Sequence, residues 1–520
     1  MNINCTMNMR PILKTLCIVG AGAFALIVIG LVITMMWFRH AGIGKWQTVR
    51  ADLLAQGETL MLTGFTQPPV ADEENFFADP IWDELTDLVA KDTEFGVRNV
   101  PRLAAGDQQL SALKLELSES DRTDLEAKFP SLAPLPEGNS VRPVIFNLRR
   151  PKESSGPTLS PEVARLTLAA LAPAEAILSQ LQVLGMRPKA RFPLRYEDGV
   201  GMDLSHASPL LSAAQLFRLR AQAHIALGQD VQAYEDVLMV WRLSEVQRDE
   251  PLMLSLLVGI SIQGIAVDVI REGISHWSDA NLEHLQALLS EGGIVERMLS
   301  AIRGERGGVN VILNKSGVDE GILSTLSVFA DRSEMEIAVF RILSRLYITA
   351  FLDEDRALFN TIIQDWVAGV EADQPRIDPA TTKQIADRVM ELSGNPAGTL
   401  RFPLTKLAFP ALLGVVARVA FAQNSSNQAR IACAIQRYFR SHSIVPESLA
   451  DLVPAYLDAI PIDIITGSPM AYRVTGPDTY QLWSVGWNET DEGGVPPSPP
   501  RLLKEYDWVW EGRTVTSAAD

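Results

Sequence analysis

A mainly α chain is what the sequence predicts, with an N-terminal transmembrane helix, a central helical bundle and a C-terminal α+β module that carries a small antiparallel sheet. Three observations carry that expectation. Thr15 to Phe38 is 24 residues long without a charged side chain. From Ser160 to Gln423 apolar residues recur at helical spacing. Past residue 470 the pattern changes to alternation, with Ala471–Val474 and Tyr480–Val485 flanking a turn at Gly476-Pro477-Asp478.

The apolar run "TLCIVGAGAFALIVIGLVITMMWF" is about 36 Å long as a helix, enough to cross a hydrocarbon core of about 30 Å. Arg10 and Lys14 precede it, Arg39 follows, and Trp37 sits near one interface. A cleaved signal peptide has a core of about 7–15 apolar residues and a small-residue cleavage site. This run is longer and ends Met-Met-Trp-Phe-Arg, so it reads as an uncleaved anchor. Gly20, Gly22 and Ala25 inside it match the glycine pattern of dinucleotide-binding folds. That pattern needs a strand, a tight turn and an amphipathic helix. Here the apolar run continues on both sides, which excludes it.

The 520 residues carry 46 basic and 63 acidic side chains, a net charge of −17. So acidic a surface repels phosphate backbones and argues against nucleic acid as a partner. Cys5 and Cys17 lie in the anchor region, which leaves Cys433 alone in the remaining chain and no internal disulfide there.

The organisation expected is a cytoplasmic tail over 1–14, the anchor over 15–38, and a juxtamembrane and mixed segment over 39–150. A helical domain over 160–423 and an α+β module over 427–515 follow. Lys45 to Leu62 reads as a juxtamembrane helix broken by Pro68-Pro69, and Asp72 to Glu94 as an acidic solvated face. Leu113, Leu115 and Leu117 alternate as in a strand, and "VRPVIFNL" suits an edge strand because of Pro143. Ser111–Lys114 matches S-x-x-K without the partner motifs of serine acyl-enzymes and is read as coincidence. The polar stretch Arg149–Glu162 marks a boundary. Ser160-Pro161-Glu162 is a helix start. A helical hairpin should turn at Gly228-Gln229-Asp230. Pro251–Ile270 is apolar but carries Ser255, Ser261 and Gln263, and is expected as a buried bundle helix rather than a second span.

No catalytic motif emerges. The six histidines form no H-E-x-x-H or His/Cys ligand pair, and there is no G-x-S-x-G elbow or phosphate-binding loop. "GERGG", Gly304 to Gly308, is expected between helices, with Glu305 and Arg306 paired to fix register.

The C-terminal stretch carries the most specific pattern. An amphipathic helix with Ala432, Ile435, Tyr438 and Phe439 on its apolar stripe leads to Pro446, then Leu449 and Leu452 on a short helix. Asp463 and Thr466-Gly467-Ser468-Pro469 follow as a turn, then the hairpin and the acidic, glycine-rich "GWNETDEGG". In that order, residues 427–494 resemble the C-terminal domain of type II secretion major pseudopilins, whose last loop binds calcium. The resemblance implies Asn488, Asp491 and Glu492 as calcium ligands, with carbonyls near Val485. Calcium takes six to eight oxygens, so the loop reads either as such a site or as an ordinary sheet-edge turn. Pseudopilins begin with a processed Phe-Thr-Leu-x-Glu start that Met9–Leu16 lacks, and here residues 39–426 separate anchor from module. The whole chain is similar to single-anchor membrane proteins of planctomycete and verrucomicrobial bacteria, through Gly57–Leu60, Pro68–Asn75 and Gly486–Gly494. No activity carries over from that family.

These resemblances imply a structural or interaction protein of the cell envelope, linked to secretion or pilus-like machinery. It would be anchored once in the inner membrane with its bulk in the periplasm, and its partners would be other envelope proteins. The alternative is a periplasmic hydrolase with an acidic site that no motif reveals.

Overall fold

The computed structural model describes residues 10–85, 159–291, 293–314, 334–370, 376–393, 396–495 and 506–515. The expected strands at 113–117 and 141–148, the Ser111–Lys114 match and most of the 149–162 boundary lie outside them. Among the described residues the chain is mainly helical, with an apolar N-terminal helix and a three-stranded antiparallel sheet at the C-terminal end.

Helix α1, Arg10–Ala55, is one uninterrupted helix of 46 residues. From Ala25 on, its apolar part is bare. Leu26, Ile27, Val28, Ile29, Leu31, Val32, Ile33, Met36 and Trp37 are 40–71% exposed, a surface that water penalises and lipid does not. The polar part docks against α10, Leu352–Gly369. Trp46, Leu53, Leu60 and Ala357 form a small buried cluster there. Gly42 lets the helices touch, since a Cβ would lie 3.1 Å from the Glu354 backbone nitrogen. Lys45 Nζ reaches Glu354 Oε1 at 2.6 Å, and Arg401 Nε binds the other carboxylate oxygen at 2.6 Å. Burial alone would raise the Glu354 carboxyl, but these cations hold it below the usual range. The helix ends earlier than the prolines at 68–69 suggest. Gly57 takes a left-handed conformation (φ 80°) and the Glu58 N–H bonds back to Leu53 O at 3.0 Å, closing the C-terminus.

The bundle follows in chain order. Helices α2 (Pro161–Leu171), α3 (Glu175–Gly185), α4 (Ala207–Ala226) and α5 (Asp230–Glu245) lead to α6 (Met253–Gly273) and α7 (Asp279–Ser290). Then come α8 (Ile294–Asn314), α9 (Glu334–Ala350), α10, α11 (Pro379–Ser393), α12 (Pro396–Arg401) and α13 (Pro403–His442). Ser160 caps α2, accepting from the Val163 N–H. The hairpin turns where expected, with Gly228 at φ 69° between α4 and α5. Arg220 locks it, giving 2.6 and 3.0 Å bonds to Asp236 and a third of 2.7 Å to Glu175. Helix α6 is apolar and long enough to span a bilayer, yet 72% of its most apolar window is buried inside the bundle. Its Gln263 amide donates to Ser426 of α13 at 2.7 Å.

"GERGG" does not separate helices. It lies within α8, and its glycines are there for close approach. A Cβ at Gly304 would sit 1.6 Å from Pro251 O, and one at Gly307 would meet the Leu62 backbone nitrogen at 2.6 Å. Nor do Glu305 and Arg306 pair. Adjacent residues on a helix point different ways, so half-buried Glu305 accepts from the Met253 N–H while Arg306 binds Glu58.

Two large cores share α6 and α13. One gathers α3–α7, the C-terminal half of α13, Tyr480, Leu482 and Trp510. The other gathers α8, α10, α11, the N-terminal half of α13, Ile464, Ile465 and Trp508. The boundary expected between 423 and 427 falls inside α13. The polar residues that suggest it are the seam itself. Asn424 Nδ2 donates to Asp463 Oδ1 (2.8 Å) and Ser484 Oγ (2.9 Å), and its Oδ1 accepts from the Ile464 N–H. Asn427 and Gln428 donate to Ile462 O and Trp508 O.

The sheet has order β1-β2-β3, from Ala471–Val474, Thr479–Ser484 and Trp508–Arg513, all antiparallel. The third strand is absent from the sequence reading. In its register Tyr480 faces Gly512, where a Cβ would strike the tyrosine ring at 2.1 Å. Arg271 of α6 stacks 4.0 Å from the Trp510 ring.

Replacing Asn424 by Ala removes three hydrogen bonds, strands the buried Ile464 N–H and leaves the Asp463 carboxylate with only the Ile465 and Val485 N–H groups. We expect a loss of about 3 kcal/mol in unfolding free energy, read from urea midpoints, with the conservative Asn424→Asp no better.

Candidate functional site

The acidic loop after β2 is shaped by backbone constraints before its side chains matter. Gly486 (φ 68°) has no room for a Cβ, which would lie 2.3 Å from Tyr506 O. Glu489 is left-handed (φ 58°), as are Gly493 and Gly494. The last of these folds the loop over β2, where Gln481 Nε2 donates to Gly494 O at 2.9 Å. Gln481 in turn accepts from Arg473 of β1.

All three sequence-predicted ligands lie in this loop, and they do different things. Asp491 is exposed and leans on the sheet, its Oδ1 accepting from Trp483 Nε1 (2.9 Å) and the Gly493 N–H (2.8 Å). Asn488 Oδ1 accepts from the Thr490 N–H at 3.2 Å, and its amide donates to Glu492 Oε1 at 2.7 Å. Glu492 Oε2 accepts from the Asp507 N–H at 3.1 Å. Asn488 and Glu492 therefore meet, while Asp491 serves the sheet.

Asp507 is the residue that the sequence reading missed. It enters the loop from the start of β3 and is 1% exposed. Its Oδ2 accepts from the Gly494 N–H at 2.7 Å, but its buried Oδ1 meets no donor. Burial, and then the neighbouring Glu492 carboxylate, push its acid up to about 6. The one available signal was "DWVWEGR", whose Trp508-Val509-Trp510 alternation marks a strand with an acid at its head. Glu492 and Asp507 form a carboxylate pair that one proton or one cation would satisfy. Among the described residues no group of three or more His, Cys, Asp or Glu side chains converges. A calcium ion here would take these two carboxylates and otherwise main-chain carbonyls and water.

A second cluster is buried at the start of α4. His206 Nε2 lies 3.3 Å from Glu250 Oε2 and 2.7 Å from the Gln247 amide, and Ser255 Oγ donates to Glu250 at 2.5 Å. Phe192 stacks on the imidazole at 4.0 Å, and Phe77 meets it edge-on at 5.6 Å. The serine binds the glutamate, not the histidine, so the arrangement lacks the nucleophile–base contact of a hydrolase. It ties α4 to the α5–α6 connection.

Comparison with protein-family models, with curated proteins and with solved structures finds no match to this chain.

A carboxyl raised by folding binds its proton more tightly in the native state, so its contribution to stability falls as pH rises from about 4 to about 6. In chelator, Asp507→Asn should therefore raise the melting temperature relative to the parent at pH 7 and give no advantage at pH 4. Thermal unfolding at the two pH values checks the sign.

Proposed function

We propose that the chain is a membrane-tethered scaffold of the cell envelope, its bulk on the periplasmic side of the inner membrane, presenting its C-terminal sheet to other envelope proteins of secretion or pilus-like machinery. The observation that carries this reading is the division of α1. Its bare apolar part suits lipid. Its polar continuation is clamped to the bundle by the Lys45–Glu354–Arg401 contacts. A helix that is both anchor and structural member favours fixed placement over release.

The contact surface in this reading is the open edge of β1 together with the 486–494 loop. Among the described residues β1 pairs only with β2, and its last two residues are exposed. A strand of a partner could extend the sheet there, with main-chain bonds supplying affinity. The likeness to the pseudopilin C-terminal domain supports the same end of the molecule as the working face. Calcium belongs to this proposal as a stiffener. Bound by Glu492 and Asp507, it would cancel their mutual repulsion and hold the loop in its left-handed turns.

Two measurements test the reading. In inside-out membrane vesicles, added protease should leave a C-terminal epitope intact until detergent is added; cleavage before detergent would refute the orientation. At pH 7, millimolar calcium should raise the melting temperature by a few degrees, about 1 kcal/mol of linkage. Glu492→Gln should lose that shift, and Asp491→Asn should keep most of it.

A further inference from the structure

Where α1 leaves the bilayer and packs on the bundle, a cavity of about 620 Å³ opens between α1, the Thr59–Met61 segment, the end of α8 and α10. Its walls hold two arginines, Arg50 of α1 and Arg356 of α10. Arg356 is only 7% exposed. Its guanidinium lies 4.0 Å from the Trp46 ring, and its Nε donates to Asn310 Oδ1 at 2.9 Å. Stacking and this one bond fix the plane of the fork. The two terminal nitrogens have no acceptor among the described residues, and Arg356 lines the cavity. Asp353 acts on Arg356 through charge alone, and Arg50 is near enough to repel it.

Two like charges facing one cavity repel, and with no carboxylate hydrogen-bonded to either among the described residues an anion between them would be stabilised. Glu58 also lines the wall, but its carboxylate is taken by Arg303 and Arg306. Local positive charge in a chain of net charge −17 is an exception that calls for a cause. The apolar lining, Leu54, Leu60 and Met61, completes a pocket of a size that holds small molecules.

We propose that this cavity binds a phosphate ester, its tetrahedral oxyanion held between Arg356 and Arg50 and its carbon portion against the apolar wall. Arginine matches phosphate because its planar fork offers parallel N–H bonds. The phosphate could come from a soluble ester or from an anionic lipid headgroup. Arg50 stands twelve residues beyond Phe38, about 18 Å along the helix, whereas the headgroup layer is only about 6 Å thick. That distance favours the soluble source. The inference is independent of which side of the membrane the bundle occupies.

The test uses the full chain in nanodiscs of phosphatidylcholine. Inorganic phosphate should raise the melting temperature beyond a chloride control of equal ionic strength. Arg50→Gln, which removes an exposed side chain without a hydrogen-bond partner among the described residues, should weaken phosphate about tenfold. Arg356→Gln should abolish the response, and Arg356→Lys should restore only part of it. A response to phosphate that adding phosphatidylglycerol to the nanodisc leaves unchanged identifies a soluble source. A response seen only when phosphatidylglycerol replaces part of the lipid, and lost in Arg50→Gln, identifies a headgroup. No response to either anion, or one that Arg50→Gln leaves unchanged, overturns the proposal.

Discussion

A single forty-residue helix must satisfy two cores and a sheet at once, and the rest of the fold depends on how α13 does so. Its first half gives Phe409, Val416 and Val419 to one core, and its second half gives Ile431, Ile435 and Phe439 to the other. Between them the helix turns polar, and Asn424, Asn427 and Gln428 spend their amides on the chain that builds the sheet. A buried amide is tolerable only when its donors and acceptors are met. Their mutual satisfaction makes the C-terminal module a continuation of the bundle and not an appended domain. The same logic explains α6, whose apolar length would suit a membrane but whose Gln263 finds its partner on α13.

What the sequence made legible is what local periodicity encodes. The anchor, the α4–α5 hairpin, the buried character of α6 and the β1–β2 hairpin all follow from spacing within about twenty residues. What stayed hidden depends on distant contacts. Glycines at 304 and 307 look like a helix break until Pro251 and Leu62 press against them. The run "QNSSNQ" looks like a linker until its partners at 462–464, 484 and 508 are in place. β3 follows a proline-rich stretch too long for the spacing of a hairpin with β2. Asp507 gains its meaning only from Glu492, fifteen residues away in the chain. Of the three ligands that the pseudopilin likeness suggested, spacing put all of them in one loop. It could not foresee that one Asp491 oxygen accepts from the Trp483 indole.

Charge placement shows a consistent economy. Glu58, just past the end of α1, receives Arg303 and Arg306 from α8, and Glu354 of α10 receives Lys45 from α1 and Arg401 from α12. Asp355 accepts four hydrogen bonds, from Tyr347, from both the N–H and hydroxyl of Thr405, and from the Leu404 N–H, at the first turn of α13. Acids are thus concentrated where the anchor meets the bundle and where α13 begins. The arginines at the cavity are the exception to this pairing.

An unbroken α1 also has a mechanical meaning. At about 1.5 Å per residue its 46 residues form a rod about 69 Å long. If the apolar half sits in lipid, a change in bilayer thickness or lateral pressure that tilts that half swings the other half through the same angle, since no hinge lies between them. The molecule would then report the state of its membrane as a displacement of everything mounted on the far end, as a gauge needle does.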